Sequence, residues 1–233
     1  LSVHQGKNSM NIKQEVLDAN KWIVDKKLVE LTWGNVSAKN NNLVYIKPSG
    51  VNLNSAIAED IAVLNIDGKH VNGLKPSVDT PTHLALYRNF KDIGCVVHTH
   101  SKYSTIFAQA GRDIPCLGTT HADYFYGDIP CIPHPNKKQV NNEYELNTGN
   151  IIVEHYLKNN IKYNYIPACV VAGHGTFVWG QNIDKALESV FVLELVAEMA
   201  YKTLLLNPNA SLKKYVLDKH YLRKHGNNKY YGQ

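Results

Sequence analysis

The first pattern of apolar and polar positions is helical. It runs from Asn11 to about Lys27, where charged and amide side chains separate the apolar ones. The apolar positions that recur at helical spacing are Ile12, Val16, Ile23 and Val24. This spacing predicts an amphipathic helix at the start of the chain. Leu1 to Ser9 are interpreted as added residues ahead of a native start at Met10, so the single expected domain covers residues 10–233.

Short β-prone runs follow this helix. Residues 32–37 and Leu43 to Ile46 predict a hairpin with two glycine-bearing turns. Residues 61–66 end at Asp67-Gly68, a strong turn signal, and the chain resumes at His70-Val71, which predicts a second antiparallel pair.

A helix and a buried strand are predicted next. Thr80 suits a helix cap and Pro81 suits the first helical position. Residues 93–97 form an apolar strand that runs into His98-Thr99-His100. Ser101 then suits the cap of a further helix, which Gly111 closes.

The last third of the chain predicts two strands and a long helix. Residues 168–172 and 177–179 are β-rich and enclose the turn Gly173-His174-Gly175-Thr176. Apolar residues spaced by three or four then predict the longest helix over residues 183–204. Strands with helices between and after them indicate an α/β layered domain with a mixed or mostly antiparallel sheet.

Composition narrows the class of protein. The 233 residues are 44% hydrophobic, with 25 lysines and arginines against 20 aspartates and glutamates, a net charge of +5. No long uncharged apolar run is present, so neither disorder nor a membrane span is expected. The basic residues are scattered, so no nucleic acid partner is expected. The four cysteines lack a C-x-x-C pair and no signal peptide pattern opens the chain, which favours a reducing, cytoplasmic location.

Eleven histidines are present, and several of them cluster. Residues two apart on a strand point to one side, so His98 and His100 face the same point. His174 in its glycine-flanked turn could complete three nitrogen ligands, which is the pattern of an open catalytic metal site. Asp79, at a helix start, could bind the metal or orient a ligand.

Other polar residues carry weaker signals. His121 and Asp123 follow Pro115 in a predicted turn, where a structural loop pair is the ordinary interpretation. The turns at Gly34-Asn35 and Ser49-Gly50, with Ser77, offer the N–H groups and hydroxyls that hold phosphate. The tyrosine-rich tail, residues 220–233, would by default be a frayed terminus.

Several motifs together identify a family. They are residues 32–37 (TWGNVS), 47–51 (KPSGV), 77–83 (SVDTPTH), 98–101 (HTHS), 118–127 and 223–226 (RKHG). From Met10 to Gln233 the chain resembles the L-ribulose-5-phosphate 4-epimerase family of the class II aldolase/epimerase superfamily. The resemblance implies a three-layer α/β/α fold, a cyclic homotetramer with sites at subunit interfaces, and a divalent metal, usually zinc. Three imidazoles would also accept manganese or cobalt.

The resemblance also implies roles for individual residues of this chain. The metal residues are His98, His100, His174 and Asp79. The proton donor and acceptor are Asp123 and Tyr231, with His220 near the site. The phosphate contacts are Gly34, Asn35, Ser49, Gly50, Ser77 and Val78. Since Val78 stands where the family commonly has serine, only its main-chain N–H could contribute.

The implied reaction inverts C4 of a pentulose 5-phosphate. The C3–C4 bond breaks in a retro-aldol step, the aldehyde fragment turns, and the bond re-forms on its other face. Two acid/base groups on opposite sides of the fragment are needed for the proton transfers. The alternative within the superfamily is a fuculose-phosphate-like aldolase, which carries Glu where this chain has Asp79. A further alternative of another class is a non-catalytic metal-binding or assembly protein.

Overall fold

The strands form one eight-stranded sheet in a computed structural model that describes residues 2–227 and 229–231, with side chains from residue 11 onward. This description leaves out Leu1, Asn228, Gly232 and Gln233. It also leaves out the side chains of residues 2–10, among them His4. The strands are β1 (Asn35–Asn40), β2 (Leu43–Ile46), β3 (Ala62–Asn65), β4 (His70–Asn72), β5 (Cys95–Thr99), β6 (Cys131–Ile132), β7 (Ala168–Val171) and β8 (Thr176–Gly180).

The strand order across the sheet is β4-β3-β2-β1-β5-β8-β7-β6. The β6–β7 pair is parallel, and the other neighbouring pairs are antiparallel. The predicted mixed, largely antiparallel sheet is therefore confirmed. Its centre is β1-β5-β8, which places the strand that carries the paired histidines in the middle.

Helices cover both faces of the sheet. They are α1 (Ser2–Asp25), α2 (Thr80–Asn89), α3 (Lys102–Ala110), α4 (Thr119–Ala122), α5 (Lys137–Asn141), α6 (Tyr144–Lys158), α7 (Ile183–Leu206) and α8 (Lys214–His225). The predicted helices near α1, α2, α3 and α7 are confirmed. The pattern did not predict α4, α5, α6 or α8.

Alternation along β5 separates two cores. Cys95 and Val97 pack on one face, with α1, α3 and α7. Val96 packs on the opposite face, with α2 and α6. The result is three layers, helix–sheet–helix, as the resemblance implied. His98, one alternation beyond Val96, lies on the α2 face, where its ring stacks on Phe177.

Some local predictions were wrong in detail. Helix α1 extends back to Ser2, ahead of Met10. The β1–β2 hairpin closes through Asn41-Asn42 instead of a glycine turn, with Asn41 at φ 53°. Asp79 is the cap position of α2, and Thr80 is the first helical residue. The Thr80 hydroxyl donates to the Ser77 carbonyl at 2.6 Å, which ties it to the preceding turn instead of to the helix amides.

The tail also differs from the default interpretation. Its first six residues, 220–225, form the end of α8, which packs on α4 through the Asp123 contacts described below. None of the helices in the described part of the chain combines the length and the apolar character that crossing a membrane requires.

Candidate metal centre

His98 and His100 lie at the carboxyl end of the central strand. Because β5 and β8 are antiparallel, with Thr99 opposite Thr176, the β7–β8 turn lies at the same edge of the sheet. That turn carries His174, so strand pairing brings the three predicted histidines together. The sequence prediction of this trio is confirmed in its geometry.

The three imidazoles converge on one point. His98 Nε2 lies 3.1 Å from His100 Nε2, and one nitrogen from each of the three rings lies within 4.8 Å of the others. The rings meet edge to face, with centroids 4.8 to 5.1 Å apart. Tetrahedral zinc with Zn–N bonds of about 2.0–2.1 Å separates its nitrogen ligands by about 3.3 Å. The donor set therefore fits a divalent metal such as zinc.

A hydrogen bond fixes the orientation of the His98 ring. Its Nδ1–H donates to the Thr176 carbonyl at 2.8 Å, which leaves the Nε2 lone pair facing the other histidines. Burial lowers the pKa of His98 to about 3. Burial also lowers the pKa of His100 and of His174, whose Nδ1 lies 3.5 Å from the Tyr144 hydroxyl. All three imidazoles are thus held neutral, which is the form that binds metals.

Two glycines allow the chain to approach these ligands closely. A Cβ on Gly175 would lie 2.6 Å from the Thr99 carbonyl oxygen and 3.0 Å from His100 Cδ2. Gly34, at φ +99°, would place a Cβ 2.7 Å from the His98 carbonyl oxygen. Any larger residue at either position would displace a ligand-bearing backbone.

Asp79 lies beside the trio within a hydrogen-bonded group. Its Oδ2 accepts from Asn35 Nδ2 at 2.7 Å, and the Ser77 hydroxyl is 3.4 Å away. Burial raises the pKa of Asp79, but His98, His83, the Asn35 amide and His174 outweigh burial and leave the pKa lowered. Among the described residues, the convergent metal-ligating group consists of the three histidines, so direct ligation by Asp79 stays a prediction.

The predicted phosphate-contact residues adjoin this group. Ser77 N–H donates to the Lys47 carbonyl at 3.1 Å, and Ser49 N–H donates to the Lys75 carbonyl at 2.9 Å. Asn35 Nδ2 lies 3.1 Å from Ser77 Oγ, which links the Gly34-Asn35 turn to the same place. Ser49 and Gly50 are exposed at the edge, and the Val78 side chain is 60% exposed. Main-chain pairing therefore gathers the three turns, which lie far apart in sequence.

Lys47 is a candidate functional residue that sequence reasoning did not single out. It is 4% exposed, and its Nζ donates to the Thr32 carbonyl at 3.2 Å. Burial lowers the pKa of Lys47, while the nearby Asp79 raises it. Its position within the KPSG motif was the available signal, but only the fold shows that the side chain is buried beside Asp79.

The predicted acid/base residues form a second group. Arg223 Nη2 lies 3.1 Å from each oxygen of Asp123, and His220 Nδ1 lies 3.1 Å from Oδ1. The Tyr231 ring covers the Arg223 guanidinium at 4.4 Å, and Tyr231 N–H donates to the Arg223 carbonyl at 3.1 Å. Asp123, His220 and Tyr231 therefore lie together, and Arg223 is the shared contact that sequence reasoning left without a role.

His121, the other candidate of that segment, has a structural position. It is 3% exposed, and its Nε2 lies 2.9 Å from the Gly127 carbonyl oxygen, so the Nε2–H donates there. Burial lowers its pKa to about 4.

The two groups are separate within one chain. In the described residues, no hydrogen bond, ion pair or ring contact joins Asp123, His220 or Tyr231 to the histidine trio. The tail residues that are described contact their own α8 instead.

Comparisons with known proteins agree with this architecture. The family model described as "Class II Aldolase and Adducin N-terminal domain" matches residues 14–201. Proteins named L-ribulose-5-phosphate 4-epimerase UlaF from Salmonella paratyphi A and from Salmonella typhi are each 47% identical over 226 residues, covering 95% of this chain and 98% of the relative. A solved structure titled L-fuculose 1-phosphate aldolase superposes with a TM-score of 0.75 at 24% identity, covering 90% of this chain and 94% of that one.

Proposed function

The chain belongs to the class II aldolase and adducin N-terminal domain family, and from that premise we propose that it is an L-ribulose-5-phosphate 4-epimerase. It would interconvert L-ribulose 5-phosphate and D-xylulose 5-phosphate by retro-aldol cleavage and re-formation of the C3–C4 bond. The observation that carries the proposal is the 47% identity, over 95% of the chain, to relatives of that name. The histidine trio supports it, since it offers the open metal site that such chemistry uses.

His98, His100 and His174 would hold the divalent metal, for which we propose zinc. Bound there, the metal would supply Lewis-acid stabilisation of the negative charge that develops on the ketose oxygens as C3–C4 breaks. The Thr176 carbonyl keeps the His98 lone pair directed at the site. Asn35 holds the Asp79 carboxylate in place beside the histidines.

The substrate phosphate would lie at the edge formed by the three turns. The N–H groups of Ser49 and Ser77 already donate to the Lys75 and Lys47 carbonyls, so the donors at these turns would be the neighbouring main-chain N–H groups, such as those of Gly50 and Val78, and the Ser49 hydroxyl. The Lys47 ammonium, buried beside this edge, would contribute positive charge.

Asp123 and Tyr231 would exchange the proton of the C4 hydroxyl on the two faces of the aldehyde fragment. His220 and Arg223 fix the Asp123 carboxylate. Because the Asp123 group does not contact the metal trio of its own chain, we propose that a neighbouring copy supplies it in a homotetramer with interfacial sites. Four cysteines without disulfide bonds are consistent with a cytoplasmic enzyme.

Incubation with L-ribulose 5-phosphate, with and without a trap for glycolaldehyde phosphate, tests the proposal. We expect D-xylulose 5-phosphate as the product, and little trapped aldehyde. Accumulation of free aldehyde without xylulose phosphate would indicate an aldolase, and no turnover by metal-loaded protein would indicate a non-catalytic role. Elemental analysis would identify the metal, and light scattering would measure the number of copies in the assembly.

A further inference from the structure

A row of buried hydroxyl groups connects the metal-bearing strand to the opposite helical layer. Thr176 Oγ1 lies 2.8 Å from Thr99 Oγ1, and Thr99 Oγ1 lies 3.2 Å from Ser101 Oγ. Ser101 Oγ lies 2.8 Å from Ser104 Oγ, which lies 2.7 Å from Glu194 Oε2 on α7. The four hydroxyl-bearing residues are at most 3% exposed, so water does not substitute for these contacts.

The carboxylate at the end of the row sets the direction of every proton in it. An ionised carboxylate can only accept, so Ser104 donates its single proton to Glu194, over a contact shorter than the 3.2 Å to the Ser101 carbonyl. Ser104 Oγ must then accept from Ser101, and Ser101 must accept from Thr99. Thr99 accepts in turn from Thr176, over a contact shorter than the 3.3 Å from the Thr176 hydroxyl to the Thr99 carbonyl. The row is a polarised chain of donors directed toward Glu194.

Glu194 itself is held firmly. Its Oε1 accepts from Tyr103 N–H at 2.7 Å, and its Oε2 accepts from Ser104 N–H at 3.0 Å. These are amides of the first turn of α3, which the Ser101 hydroxyl was expected to cap. Since Glu194 takes over that role, the Ser101 hydroxyl makes no cap bond and is available to the row.

The other end of the row lies at the metal ligands. Thr99 stands between His98 and His100 on the chain, and its side chain fixes it to Thr176. Thr176 is also the residue whose carbonyl accepts from His98 Nδ1. The hydroxyl row therefore holds both the backbone between two ligands and the acceptor that orients one of them.

We propose that Glu194, acting through Ser104, Ser101, Thr99 and Thr176, is a positioning residue for the histidine trio. The inference rests on the proposed metal centre and assigns to it a supporting residue from the opposite layer. Groups hydrogen-bonded directly to metal-ligating histidines typically contribute about 10–100-fold to metal affinity. Because Glu194 acts through intermediate hydroxyls, we expect a smaller effect, about threefold to tenfold.

The decisive variant is Ser104→Ala, with Thr105→Val as its matched control. Ser104→Ala removes one link of the row but keeps the Ser104 N–H, so the Glu194 cap of α3 remains. Thr105 is the next residue of the same helix, and among the described residues its buried Oγ1 has no hydrogen-bond partner. Thr105→Val thus removes a hydroxyl of the same helix without touching the row. Glu194→Gln is the second variant. The glutamine side chain has one oxygen instead of two, so its NH2 group would face one of the two N–H groups of α3 from which Glu194 accepts.

Three measurements on the full chain separate positioning from general stability. They are zinc affinity by competition with a chromophoric chelator, the visible spectrum of bound Co²⁺, and thermal unfolding of the metal-free protein. We expect Ser104→Ala and Glu194→Gln to weaken zinc binding and shift the Co²⁺ bands, and Thr105→Val to change neither. Lower thermal stability with unchanged affinity and spectrum in Ser104→Ala would overturn the positioning role. If the unaltered chain bound neither ion, the metal centre itself would be wrong, and this inference with it.

Discussion

His220 Nδ1 lies 3.1 Å from Asp123 Oδ1, although 97 residues separate the two in the sequence. Helix α8 makes this contact possible, and it also brings Arg223 to the same carboxylate and His225 Nε2 to within 2.8 Å of the Asp123 carbonyl oxygen. Asp123 is therefore held by three residues of one helix. Its side chain is only 16% exposed, so its charge is balanced by Arg223 more than by water.

Replacing this carboxylate should affect proton transfer and leave the metal in place. We expect Asp123→Asn to slow epimerisation by about 10² to 10⁴, the scale for losing one acid/base group. Bound zinc should stay at the level of the unaltered chain. Asp128→Asn is the control, since that exposed carboxylate of the same segment accepts from the Cys116 N–H instead. Loss of metal from Asp123→Asn would show that Asp123 is structural.

The tail provides the second acid/base test. Tyr231→Phe keeps the ring over Arg223 and removes only the phenol hydroxyl, and deletion of residues 230–233 removes the whole segment. Both should cut the epimerisation rate strongly with metal and assembly intact, and the Phe variant should retain some retro-aldol cleavage. Tyr230→Phe, the neighbouring exposed tyrosine, should behave as the unaltered chain. A normal rate in Tyr231→Phe would leave Asp123 without its partner.

Each histidine of the trio should be needed for metal binding. His98→Ala, His100→Ala and His174→Ala should each lower bound zinc and abolish turnover, because two imidazoles hold the ion poorly. His70→Ala, an exposed histidine on edge strand β4, should keep full metal content. Elemental analysis after dialysis measures the result, and full occupancy with near-normal turnover in a trio variant would exclude that residue from the site.

Lengthening the carboxylate beside the trio should change the product. Asn35 fixes Asp79 Oδ2 at 2.7 Å, and the added methylene of Asp79→Glu would carry the carboxylate beyond that contact toward the substrate. We expect a larger share of free aldehyde relative to xylulose phosphate, measured with the trapping assay. An unchanged product ratio would show that carboxylate reach does not decide between epimerisation and cleavage.

Acid should destabilise the metal-free fold. Burial lowers the pKa of His83 and His98 to about 3 and that of His121 to about 4, against an ordinary value of 6.5. Between pH 6.5 and these values the unfolded chain binds protons that the folded chain does not. The free energy of unfolding is therefore highest above pH 6.5. It decreases as the pH is lowered below 6.5, by about 1.4 kcal/mol per pH unit for each such histidine.

Urea unfolding from pH 7 to pH 4.5, with a chelator present, measures this slope. His121→Gln retains a donor for the Gly127 carbonyl and removes one titrating group, so its slope should be shallower by about 1.4 kcal/mol per pH unit. His70→Gln, at an exposed position on β4, is the matched control for the substitution itself. Equal slopes for the unaltered chain and His121→Gln would contradict the burial of a neutral imidazole there.

The sequence by itself determined the elements in which local geometry is decisive. Strand alternation placed His98 and His100 on one side, and glycines around His174 indicated a turn that could approach them. Turn residues located the second strand pair, and helical spacing located α1 and α7. The family motifs predicted that Asp123, His220 and Tyr231 act together, and the fold brings these three residues together.

Tertiary structure alone decided which distant groups meet. The register of β5 against β8 set the distance from His174 to His98, because burial of alternating side chains fixes strand pairing across the whole sheet. Helix α8 has Tyr221 as its one buried residue in the described part of the chain, so its hydrophobic pattern was too weak to predict and packing on α4 determines its place. Glu194 displaced Ser101 as the cap of α3 because a carboxylate from α7, the neighbouring helix of the same layer, reached the same amides. Helix and strand propensities depend only on neighbours along the chain, so they cannot predict such contacts. These contacts form when the three layers pack together.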